Sequence, residues 1–482
     1  MEHNYFLYLL VKHHYFIYNK EEYNRLVINV SKKEMHIPIN AQYIVDTLNN
    51  NGYEAYLVGG CVRDCLMGRE AHDWDITTDA EPVRVKQLFK NTYDTGIQHG
   101  TVTVRIKEET FEVTTYRVEE NYQDARRPCT VHFSKEIIKD LQRRDFTMNA
   151  IAFHPKQGFV DPFGGSIDID RQLIRCVGNA KHRFEEDALR MLRAVRFSSQ
   201  LGFDIDPDTL EAIKINNSLI QKISAERIRE EIDKILLSCH VDKIRVLADT
   251  GILACVMPEL VRCFNTPQHH SYHIYDAGTH ALMAVQQTPK DLMLRWVMLL
   301  HDIGKPISKT TDEKGIDHFY NHAKCSVEIA RKILKRLRFD NKSTEKVLRL
   351  IKWHDRPVAV TEKAIRRAVR DIGQDNFVDF LYVKEADIRA QNPVYLQPRL
   401  EALQKIRALF KEIQIQGQCM TLKQLSVNGK DLMACGIEEG KWIGGILHKL
   451  LDIVIENPNE NEREILLAYA IKLYEKEKNK RV

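Results

Sequence analysis

The stretch Tyr56–Thr78, YLVGGCVRDCLMGREAHDWDITT, decides the fold and contains the first candidate site. It opens with a short apolar run that fits a buried strand, and the chain then turns at Gly59 and Gly60. Two glycines let the backbone approach a bulky group because neither carries a Cβ. Helical spacing follows from Val62 to Met67, so N–H groups and Arg63 are expected to face the gap after the strand. That arrangement suits an anionic phosphate.

Two carboxylates, Asp73 and Asp75, follow in the sequence DWD. Alternate residues of a strand share a face, so both are expected to project together while Trp74 packs behind them. Neighbouring carboxylates repel each other unless a hard cation lies between them, and Mg²⁺ prefers oxygen ligands. A phosphate-binding turn beside a magnesium-binding pair predicts phosphoryl transfer.

Size and composition indicate a globular protein of several domains. A chain of 482 residues can form two to four domains with their own cores. The net charge of +4 is compatible with an RNA partner, but a binding face would need clustered charge. The ten cysteines include no CxxC pair, which predicts reduced thiols and a cytoplasmic location.

The N-terminal residues 1–35 are interpreted as an extension, and Met35 is the expected start of the functional protein. The apolar run Tyr5–Val11 is too short to span a membrane and has no small-residue cleavage site after it. No other stretch approaches the ~18 apolar residues that a spanning helix needs, so no membrane span is predicted.

The next segments predict a small mixed α+β domain. Helices are expected at Pro38–Asn50 and Val83–Phe89, and the sequences TVTVRI and TFEVTTYR alternate with the period of strands. This order does not form a repeated βαβ array. The hydrophobic period fails between Arg117 and Ser134, which predicts a long mobile loop. From about Arg183 onward nearly every segment has helical period.

Four blocks in order carry a family resemblance: LVGGCVRD with DWD, RRDFTMNA, EDALRMLRAVRF and ERIREE. They resemble class II tRNA nucleotidyltransferases and bacterial poly(A) polymerases, and the first block resembles the wider polymerase-β-like superfamily. The similarity covers roughly residues 36–475. It implies a polymerase-β-like head with a small mixed sheet and helices, followed by an elongated all-α body with an HD-type helical domain and a helical tail.

The resemblance implies a two-metal reaction in which the 3′-hydroxyl of an RNA attacks the α-phosphate of CTP or ATP and pyrophosphate leaves. Asp73 and Asp75 would bind Mg²⁺, and Glu112 is the candidate third carboxylate, with an ordinary exposed strand glutamate as the alternative. The nucleotide-binding candidates of the head are Gly59, Gly60, Arg63, Arg144, Asp145 and Asn149. Arg144 and Asp145 are expected at the sugar, since an Arg–Asp pair can bind a 2′-hydroxyl.

The predicted helix Glu186–Phe197 carries the candidate base readers. Asp187 and Arg190 are three residues apart and would share one helix face, with Arg193 and Arg196 continuing the row. A carboxylate accepts from an exocyclic amino group and a guanidinium donates to a ring nitrogen or carbonyl, so cytosine and adenine fit while uracil and guanine do not. The alternative is an ion pair on a solvated face.

Weaker signals favour CCA addition within this family. TGIQHGTVTV resembles the CCA-adding branch, and the Arg117–Ser134 segment resembles the flexible loop of enzymes that add the terminal A. A-only addition and poly(A) synthesis remain alternatives. Glu226, Arg227 and Glu230 are expected to form a structural ion-pair cluster.

A second constellation resembles the HD phosphohydrolase signature, with HDIGK at its centre. Its tentative metal ligands are His280, His301, Asp302, His322, His354 and Asp387, with His318 nearby. Mixed imidazole and carboxylate ligands favour a transition metal over Mg²⁺, and core histidines are the alternative. The alternative function from another class of enzyme is an HD phosphohydrolase that acts on RNA ends. The resemblance leaves open whether the domain trims 2′,3′-cyclic phosphates or is structural.

The predicted domains are the extension 1–35, the head 36–170, a neck for nucleotide selection and RNA binding 171–265, an HD-type body 266–395 and a tRNA-binding tail 396–482. The expected macromolecular partner is tRNA, bound at its acceptor and T stems mainly through phosphate and 2′-hydroxyl contacts. The basic runs Lys332–Arg338 and Arg366–Arg370 are candidate contacts, although solvated helix faces would explain each. Oligomeric state is not predicted.

Overall fold

The computed structural model describes residues 7–11, 14–18, 35–123 and 127–479, which divide into two compact units, Met1–Val256 and Met257–Val482. Most of the predicted N-terminal extension lies outside the described residues, which resume at Met35. Its two described strands, β1 (Leu7–Val11) and β2 (His14–Tyr18), pair as an antiparallel hairpin. In the described chain, no helix combines the length and apolar character needed to cross a membrane.

The first unit contains a mixed sheet of seven strands. After β1 and β2, the strands of this unit, some of which lie outside the seven-stranded sheet, are β3 (Ala55–Val58), β4 (Asp75–Thr78), β5 (Thr92–Gly96), β6 (Thr101–Ile106), β7 (Glu109–Thr115), β8 (Arg117–Gln123), β9 (Arg127–Phe133), β10 (Ala152–His154), β11 (Gly158–Val160), β12 (Leu173–Ile174) and β13 (Asp204–Ile205). The sheet has the order β11-β10-β3-β4-β7-β6-β5. Only β4 and β7 pair in parallel, and the other neighbours are antiparallel. The predicted mixed α+β head is confirmed.

The helices of the first unit flank this sheet and then form an all-helical segment. They are α1 (Ile39–Asn50), α2 (Gly60–Leu66), α3 (Pro82–Leu88), α4 (Ile137–Gln142), α5 (Gly165–Asp170), α6 (Ala180–Glu186), α7 (Leu189–Leu201), α8 (Pro207–Asn216), α9 (Ala225–Leu236), α10 (Ile244–Asp249) and α11 (Ile252–Val256). In α1, four residues at helical spacing are fully buried: Ala41, Ile44, Val45 and Leu48. This apolar stripe explains why the period of the sequence located α1 correctly.

The expected mobile loop from Arg117 to Ser134 is wrong for its described part. Strands β8 and β9 pair with each other as a separate antiparallel ribbon, in register from Arg117 opposite Phe133 to Gln123 opposite Arg127. A two-stranded ribbon is held by main-chain hydrogen bonds and belongs to no larger sheet. Its sequence therefore needs no regular apolar face, and the absence of hydrophobic period was a misleading signal.

The second unit is helical, as predicted, with one additional hairpin. Its helices are α12 (Pro258–Phe264), α13 (Ala277–Gln286), α14 (Leu292–Leu300), α15 (Lys305–Ser308), α16 (His322–Arg336), α17 (Asn341–Trp353), α18 (Glu362–Ile372), α19 (Gln374–Arg389), α20 (Leu396–Ile415), α21 (Gly429–Ala434), α22 (Lys441–Glu456) and α23 (Arg463–Asn479). Strands β14 (Lys309–Thr311) and β15 (Asp317–Phe319) form the hairpin. The last three helices share a core that includes Leu432, Leu450 and Leu466.

The basic run Arg366–Arg370 joins α18 to α22 within this unit. Arg366 is buried and donates from Nε to the carbonyl of Ile455 at 3.0 Å. Arg367 donates from Nε to Glu456 at 2.7 Å, and Arg370 pairs with Asp452. These guanidinium groups therefore have a structural role in the described unit, and the alternative of a solvated helix face is wrong for Arg366, which is buried.

Candidate functional site

The head brings three predicted carboxylates together at the edge of β4. Asp75 is the first residue of β4, and the parallel register that aligns Ile76 with Val113 puts Asp75 level with Glu112 on β7. Burial raises the pKa of Asp75 to about 6; the guanidinium of Arg144 opposes the shift, and the negative charges of Glu112 and Asp73 add to it. The acids therefore carry negative charge that the protein only partly balances, and a cation fits there.

The prediction that Asp73 and Asp75 share the face of one strand is wrong. Strand β4 begins at Asp75, and Asp73 lies in the irregular segment before it. Asp73 and Glu112 are exposed, whereas Asp75 is half-buried. The buried side chain of Trp74 fixes the chain between the two aspartates, so their proximity comes from an anchored loop end rather than from strand periodicity.

Gly59 makes the close approach of this site possible. Its φ of 80° is in the left-handed region that favours glycine. A Cβ at Gly59 would lie 3.1 Å from Nη1 of Arg144 and 3.8 Å from Oδ2 of Asp75. Gly60 then begins α2. The turn leaves room for the Arg144 guanidinium beside the acids, and any larger residue would displace it.

Arg63 lies beside the turn, with Nη2 3.7 Å from the position of a Cβ at Gly60, and its side chain is bound by the protein. It is 8% exposed, and it donates from Nε to Asp64 at 2.9 Å and from Nη1 to Oδ1 of Asn149 at 2.8 Å. The amide of Asn149 donates in turn to Oδ1 of Asp145 at 3.1 Å. The residues of the first two sequence blocks are thus joined by direct side-chain hydrogen bonds.

Asp145 is the centre of this buried network. Its Oδ1 also accepts from the N–H of Phe146 at 2.8 Å, and its Oδ2 binds Nε and Nη2 of Arg193 at 2.8 and 2.6 Å. Burial alone would raise the pKa of Asp145, but Arg193 and Asn149 hold it well below its usual value. Both oxygens have protein partners, so Asp145 fixes Arg193 relative to the head in this structure.

Arg144 binds a different acid from Asp145. Its Nη2 lies 3.3 Å from Oδ2 of Asp140, and the Nε and Nη2 of Arg143 hold Oδ1 of the same buried carboxylate at 2.9 and 2.8 Å. Nε of Arg144 has no hydrogen-bond partner in the described chain. The expected Arg144–Asp145 pair is therefore not formed; Arg144 lies with the metal-binding candidates instead.

The predicted helix Glu186–Phe197 is broken in two, which corrects the expected geometry of the base readers. Helix α6 ends at Glu186 and α7 begins at Leu189, so Asp187 lies between helices. Its Oδ1 accepts from the N–H of Leu189 at 3.1 Å. A short acidic side chain bonds readily with nearby main-chain N–H groups, and this local bond competes with a continuous helix.

The side chains of Asp187 and Arg190 each have partners in the described chain. Oδ2 of Asp187 lies 3.5 Å from Nη2 of Arg227. Arg190 is 7% exposed and donates from Nη1 to Glu186 at 2.6 Å and from Nη2 to the carbonyl of Arg143 at 3.0 Å. A base could be read by these two groups only if they exchanged these partners for the base edge.

Arg193 and Arg196 continue the row on α7, but the row faces inward. The ring of Phe197 has the guanidinium of Arg196 at 4.2 Å, that of Arg63 at 5.2 Å and that of Arg193 at 5.4 Å from its centroid. Arg196 also pairs with Glu231 at 2.9 Å. The face is a buried cationic cluster around one aromatic ring.

The expected cluster of Glu226, Arg227 and Glu230 is also corrected. Arg227 pairs with Asp187, and it is Glu231 that pairs inward with Arg196, while Glu226 and Glu230 are exposed. Helix α9 therefore forms one ion pair with α7, through Glu231 and Arg196, and one with Asp187 in the break before α7.

The second unit brings its six predicted ligands into one buried cluster, the histidine–aspartate centre. Its members are His280, His301, Asp302, His322, His354 and Asp387. Two groups share Asp302: one with His280 and His301, the other with His322 and His354, and the ligand atoms of each group lie within 4.8 Å of one another. These residues come from five helices or their ends: His280 from α13, His301 and Asp302 from the end of α14, His322 from the start of α16, His354 from the end of α17 and Asp387 from the last turn of α19.

Every imidazole of the centre is held by a main-chain carbonyl through Nδ1. The bonds run from His280 to Ala390 at 3.3 Å, His301 to Met298 at 2.7 Å, His322 to Phe319 at 2.8 Å and His354 to Ile351 at 2.7 Å. A carbonyl only accepts, so each Nδ1 carries a hydrogen, and a ring in its neutral form presents its lone pair at Nε2.

These lone pairs face each other at short range. Nε2 of His280 and His301 are 3.3 Å apart, and Nε2 of His322 and His354 are 3.1 Å apart. Two acceptors at such distances repel each other unless a proton or a metal ion lies with them. The residues present therefore fit a cation at each pair.

Asp302 serves both pairs with different oxygens. Its Oδ2 is 3.2 Å from His301, and its Oδ1 is 3.4 Å from His322 and 3.6 Å from His354. Oδ1 is buried and has no hydrogen-bond partner among the described residues. Oδ1 of Asp387 adds a second carboxylate at 3.0 Å from His280.

Sequence reasoning missed Lys305 and misplaced His318. Nζ of Lys305 lies 2.7 Å from Oδ2 of Asp302 and donates to Gln268 at 2.6 Å, a contact that the motif HDIGK could have suggested. His318 pairs instead with Asp312 at 2.9 Å on the β14–β15 hairpin, outside the centre.

Comparison with known proteins agrees with the head geometry. The family model "Poly A polymerase head domain" matches residues 55–175, a model of an RNA- and SrmB-binding site of polymerase A matches 202–263, and a model of tRNA nucleotidyltransferase domain 2 matches 308–470. The CCA-adding enzyme of Enterococcus faecalis is 33% identical over 432 residues, 89% of this chain and 94% of that protein. The chain belongs to the CCA-adding enzyme family.

Other relatives match in part or in structure. The CCA-adding enzyme of Lactobacillus gasseri is 51% identical over 210 residues, 43% of this chain and 53% of its own length, so the match spans about half of that relative. The solved structure of the Bacillus stearothermophilus CCA-adding enzyme in complex with CTP is 31% identical, with a TM-score of 0.70 over 92% of this chain and all of that one (100%).

The family membership confirms several predictions. The fold is a polymerase-β-like head followed by a helical body, and the family is one of nucleotidyltransferases that depend on a divalent metal. The predicted boundaries of the domains remain predictions. The identification of the histidine–aspartate centre rests on its geometry alone.

Proposed function

We propose that this chain adds CCA to the 3′ ends of tRNA from CTP and ATP, without a nucleic-acid template and with release of pyrophosphate. The observation that carries the proposal is the grouping of Asp73, Asp75 and Glu112 beside the turn at Gly59. This grouping lies in a chain that aligns with a CCA-adding enzyme along most of its length. The acceptor and T stems of tRNA are the proposed contacts, and the proposed location is the cytoplasm.

The acids of the head fit Mg²⁺ because the protein only partly balances their charge. Asp73 and Asp75 would hold the metal, and Glu112 is the third carboxylate. When bound, Mg²⁺ supplies neutralisation of phosphate charge and a lower pKa for the attacking hydroxyl. Arg144, held by Asp140 beside Gly59, orients Asp75 and adds positive charge next to the site of the triphosphate.

The nucleotide is held and chosen by the network behind the acids. We assign Gly59, Gly60 and Arg144 to the triphosphate side. Arg63, Asn149, Asp145, Arg193 and Arg196 fix α7 against the head. Asp187 and Arg190 are the proposed base readers, which exchange Arg227 and Glu186 for the base edge when CTP or ATP binds.

The decisive experiment uses tRNA that lacks CCA, incubated with CTP, ATP or both, with products counted on a sequencing gel. CTP alone should add two nucleotides and the mixture three. Addition of a single A only to tRNA ending in CC would identify an A-adding enzyme, and long tails from ATP alone would identify a poly(A) polymerase. Full activity of the Asp73→Ala/Asp75→Ala variant would contradict the proposed site.

The histidine–aspartate centre supports a second candidate activity, the metal-dependent hydrolysis of phosphate esters at RNA ends. The carrying observation is the pair of facing Nε2 lone pairs around the shared carboxylate of Asp302. His280, His301 and Asp387 would hold one ion and His322 and His354 the other, with imidazole favouring a transition metal. Such an ion supplies an activated water and charge neutralisation at phosphorus.

Two measurements test this second activity. The purified protein is analysed for bound metals and then assayed with bis(p-nitrophenyl) phosphate and 2′,3′-cyclic AMP after addition of Mn²⁺, Ni²⁺ or Co²⁺. Metal retention without turnover would assign the centre a structural role. Absence of both would contradict metal binding altogether.

A further inference from the structure

A series of ring contacts leads from the surface of the second unit to the histidine–aspartate centre. The rings of Tyr395 and Tyr272 have centroids 4.7 Å apart, and Tyr272 stacks on His270 at 5.3 Å and 20°. His273 is 6.3 Å from His270 and 5.3 Å from the candidate ligand His280. Tyr272 and Tyr395 are 40% and 37% exposed. We call His270, Tyr272 and Tyr395 the aromatic rim.

The rim is fixed by main-chain bonds between its two loops. Asn392 donates from its N–H to the carbonyl of Tyr272 and from Nδ2 to the carbonyl of Ser271, both at 2.9 Å. The N–H of Tyr272 donates to Nδ1 of His270 at 3.3 Å. Exposed aromatic rings that are held in place lose little conformational entropy when they bind a ligand, so the rim is preorganised.

Positive charge lies between the rim and the centre. The guanidinium of Arg399 is 5.4 Å from the ring centroid of Tyr272. It also donates to Gln391, whose amide donates to Oδ2 of Asp387 at 3.1 Å. A ligand on the rim would therefore meet an arginine as well as aromatic surface, a combination that suits a base together with its phosphate.

His273 is the unexplained polar group along this path. Its Nδ1 is buried and has no hydrogen-bond partner in the described chain. An unpaired buried polar atom is costly, and a bound ligand or an ordered water that pairs with it removes the cost. Its ring stands between the rim and His280, where a phosphate carried by a nucleoside on the rim would arrive.

We propose that the aromatic rim binds the terminal nucleoside of an RNA end and that His273 contacts the terminal phosphate at the mouth of the centre. The rim would then give the centre a preference for phosphate esters that carry a nucleoside over esters without a base. The catalytic part of this proposal rests on the second candidate activity, whereas the binding part does not.

Crosslinking tests the binding part with the full chain. A short RNA that ends in 4-thiouridine with a 3′-terminal phosphate is irradiated with the Asp73→Ala/Asp75→Ala variant, and the modified peptides are identified by mass spectrometry. Adducts are expected within residues 270–273 or 392–395. In the Tyr272→Ala/Tyr395→Ala variant, the yield of these adducts should fall about tenfold, because the stacking of the base is removed. Tyr93→Ala, an exposed tyrosine beside Arg105 in the head, is the matched control.

Steady-state kinetics distinguish a role of the aromatic rim in substrate binding from a role in hydrolysis. Tyr395→Ala should raise KM for 2′,3′-cyclic AMP about tenfold with little change in kcat, and should leave the base-free ester bis(p-nitrophenyl) phosphate unaffected. His273→Ala should slow both substrates, with partial rescue in His273→Asn, which keeps a polar atom near Nδ1.

The outcomes distinguish the two proposals. Equal losses for both esters in the rim variants, or adducts confined to other segments, would overturn the rim. If the wild type hydrolyses neither ester, the second candidate activity fails, and the crosslinking result alone decides whether the rim binds RNA. If an excess of free 2′,3′-cyclic AMP abolishes the adducts, the rim binds the free nucleotide as well as the RNA end.

Discussion

The two polar sites of this chain differ in how completely they are assembled. In the head, Asp73 and Glu112 are exposed and Asp75 is half-buried. In the histidine–aspartate centre, His301 is fully buried and Asp302 is 3% exposed. Within the described residues, both groups whose ligand atoms lie within 4.8 Å of one another belong to the centre.

This difference indicates how each site is completed. Four imidazoles with fixed Nδ1 bonds and a shared buried carboxylate provide enough ligand atoms for the proposed cation without help from a substrate. The open acids of the head lack such a shell, and the oxygens of a bound triphosphate would supply the missing ligands. We therefore expect the centre to retain metal in the purified protein and the head to take Mg²⁺ together with the nucleotide.

The largest expected effect comes from removing one carboxylate of the head, Asp75. Asp75→Ala should lower nucleotide incorporation by on the order of 10³-fold, because a metal ligand of a charge-neutralising site is lost. The metal content of the purified protein should stay unchanged. Incorporation is measured with tRNA lacking CCA, and metal content by mass spectrometry of the same preparation. A loss of bound metal in this variant would show that the two sites are not independent.

A substitution in the histidine–aspartate centre should instead lower the metal content and leave nucleotide incorporation unchanged. His301→Ala removes a ligand beside Asp302 and should strongly reduce the retained metal while incorporation of CTP and ATP stays within about twofold of wild type, a change worth under about 0.5 kcal/mol. His318→Ala, which changes a histidine outside the centre, is the control and should keep the metal. Loss of incorporation in His301→Ala alone would assign the centre a role in CCA addition.

The sequence located the parts of each site that are local. The turn at Gly59, Asp75 and the HDIGK motif depend on neighbours within a few residues. The structure has Gly59 at the turn, Asp75 at the start of β4, and His301 and Asp302 in the histidine–aspartate centre, whereas Asp73 lies before the strand. Partners across long separations could not be predicted, because a spacing along the chain does not define which carboxylate an arginine meets. Asp145 binds Arg193 rather than Arg144 for this reason.

Two errors have a common cause in main-chain hydrogen bonding. Asp187 lies outside a helix because its side chain bonds to the N–H of Leu189, and β8 and β9 are joined by main-chain pairing. Hydrophobic period reports burial and cannot detect either arrangement. The same limit applies to the histidines, whose carbonyl partners fix the tautomer and are invisible in the sequence.

The buried ion pair of the head should make a measurable contribution to stability. Asp145→Ala leaves the half-buried Arg193 without its partner and should lower the free energy of unfolding by about 1–3 kcal/mol. Urea unfolding at pH 7, followed by circular dichroism, measures this. Asp249→Ala, which removes the exposed partner of Arg245, is the control and should change it by under about 1 kcal/mol.

The pH dependence of the same pair has a definite sign. The pKa of Asp145 is lower in the folded state than in the unfolded chain, so its contribution is complete above the unfolded value and is lost as the pH falls below about 4. The difference in stability between wild type and Asp145→Asn should therefore narrow progressively from pH 4 to pH 2, where Asp145 becomes protonated in the unfolded chain but stays ionised in the folded protein. A constant difference across this range would contradict the depressed pKa.

The smallest expected effect tests base selection in the head. Arg227 holds Asp187 at 3.5 Å across a partly exposed ion pair, which limits its energetic value to roughly 1 kcal/mol. Arg227→Ala should release Asp187 from a pair that a bound base has to displace and so raise the preference for CTP over UTP about fivefold, measured as the ratio of kcat/KM for single additions. Arg229→Ala, which changes the weaker pair with Asp233 on the same helix, should leave the ratio unchanged. An unaltered ratio in Arg227→Ala, together with a reduced ratio in Arg190→Lys, would assign base choice to Arg190 independently of how Asp187 is held.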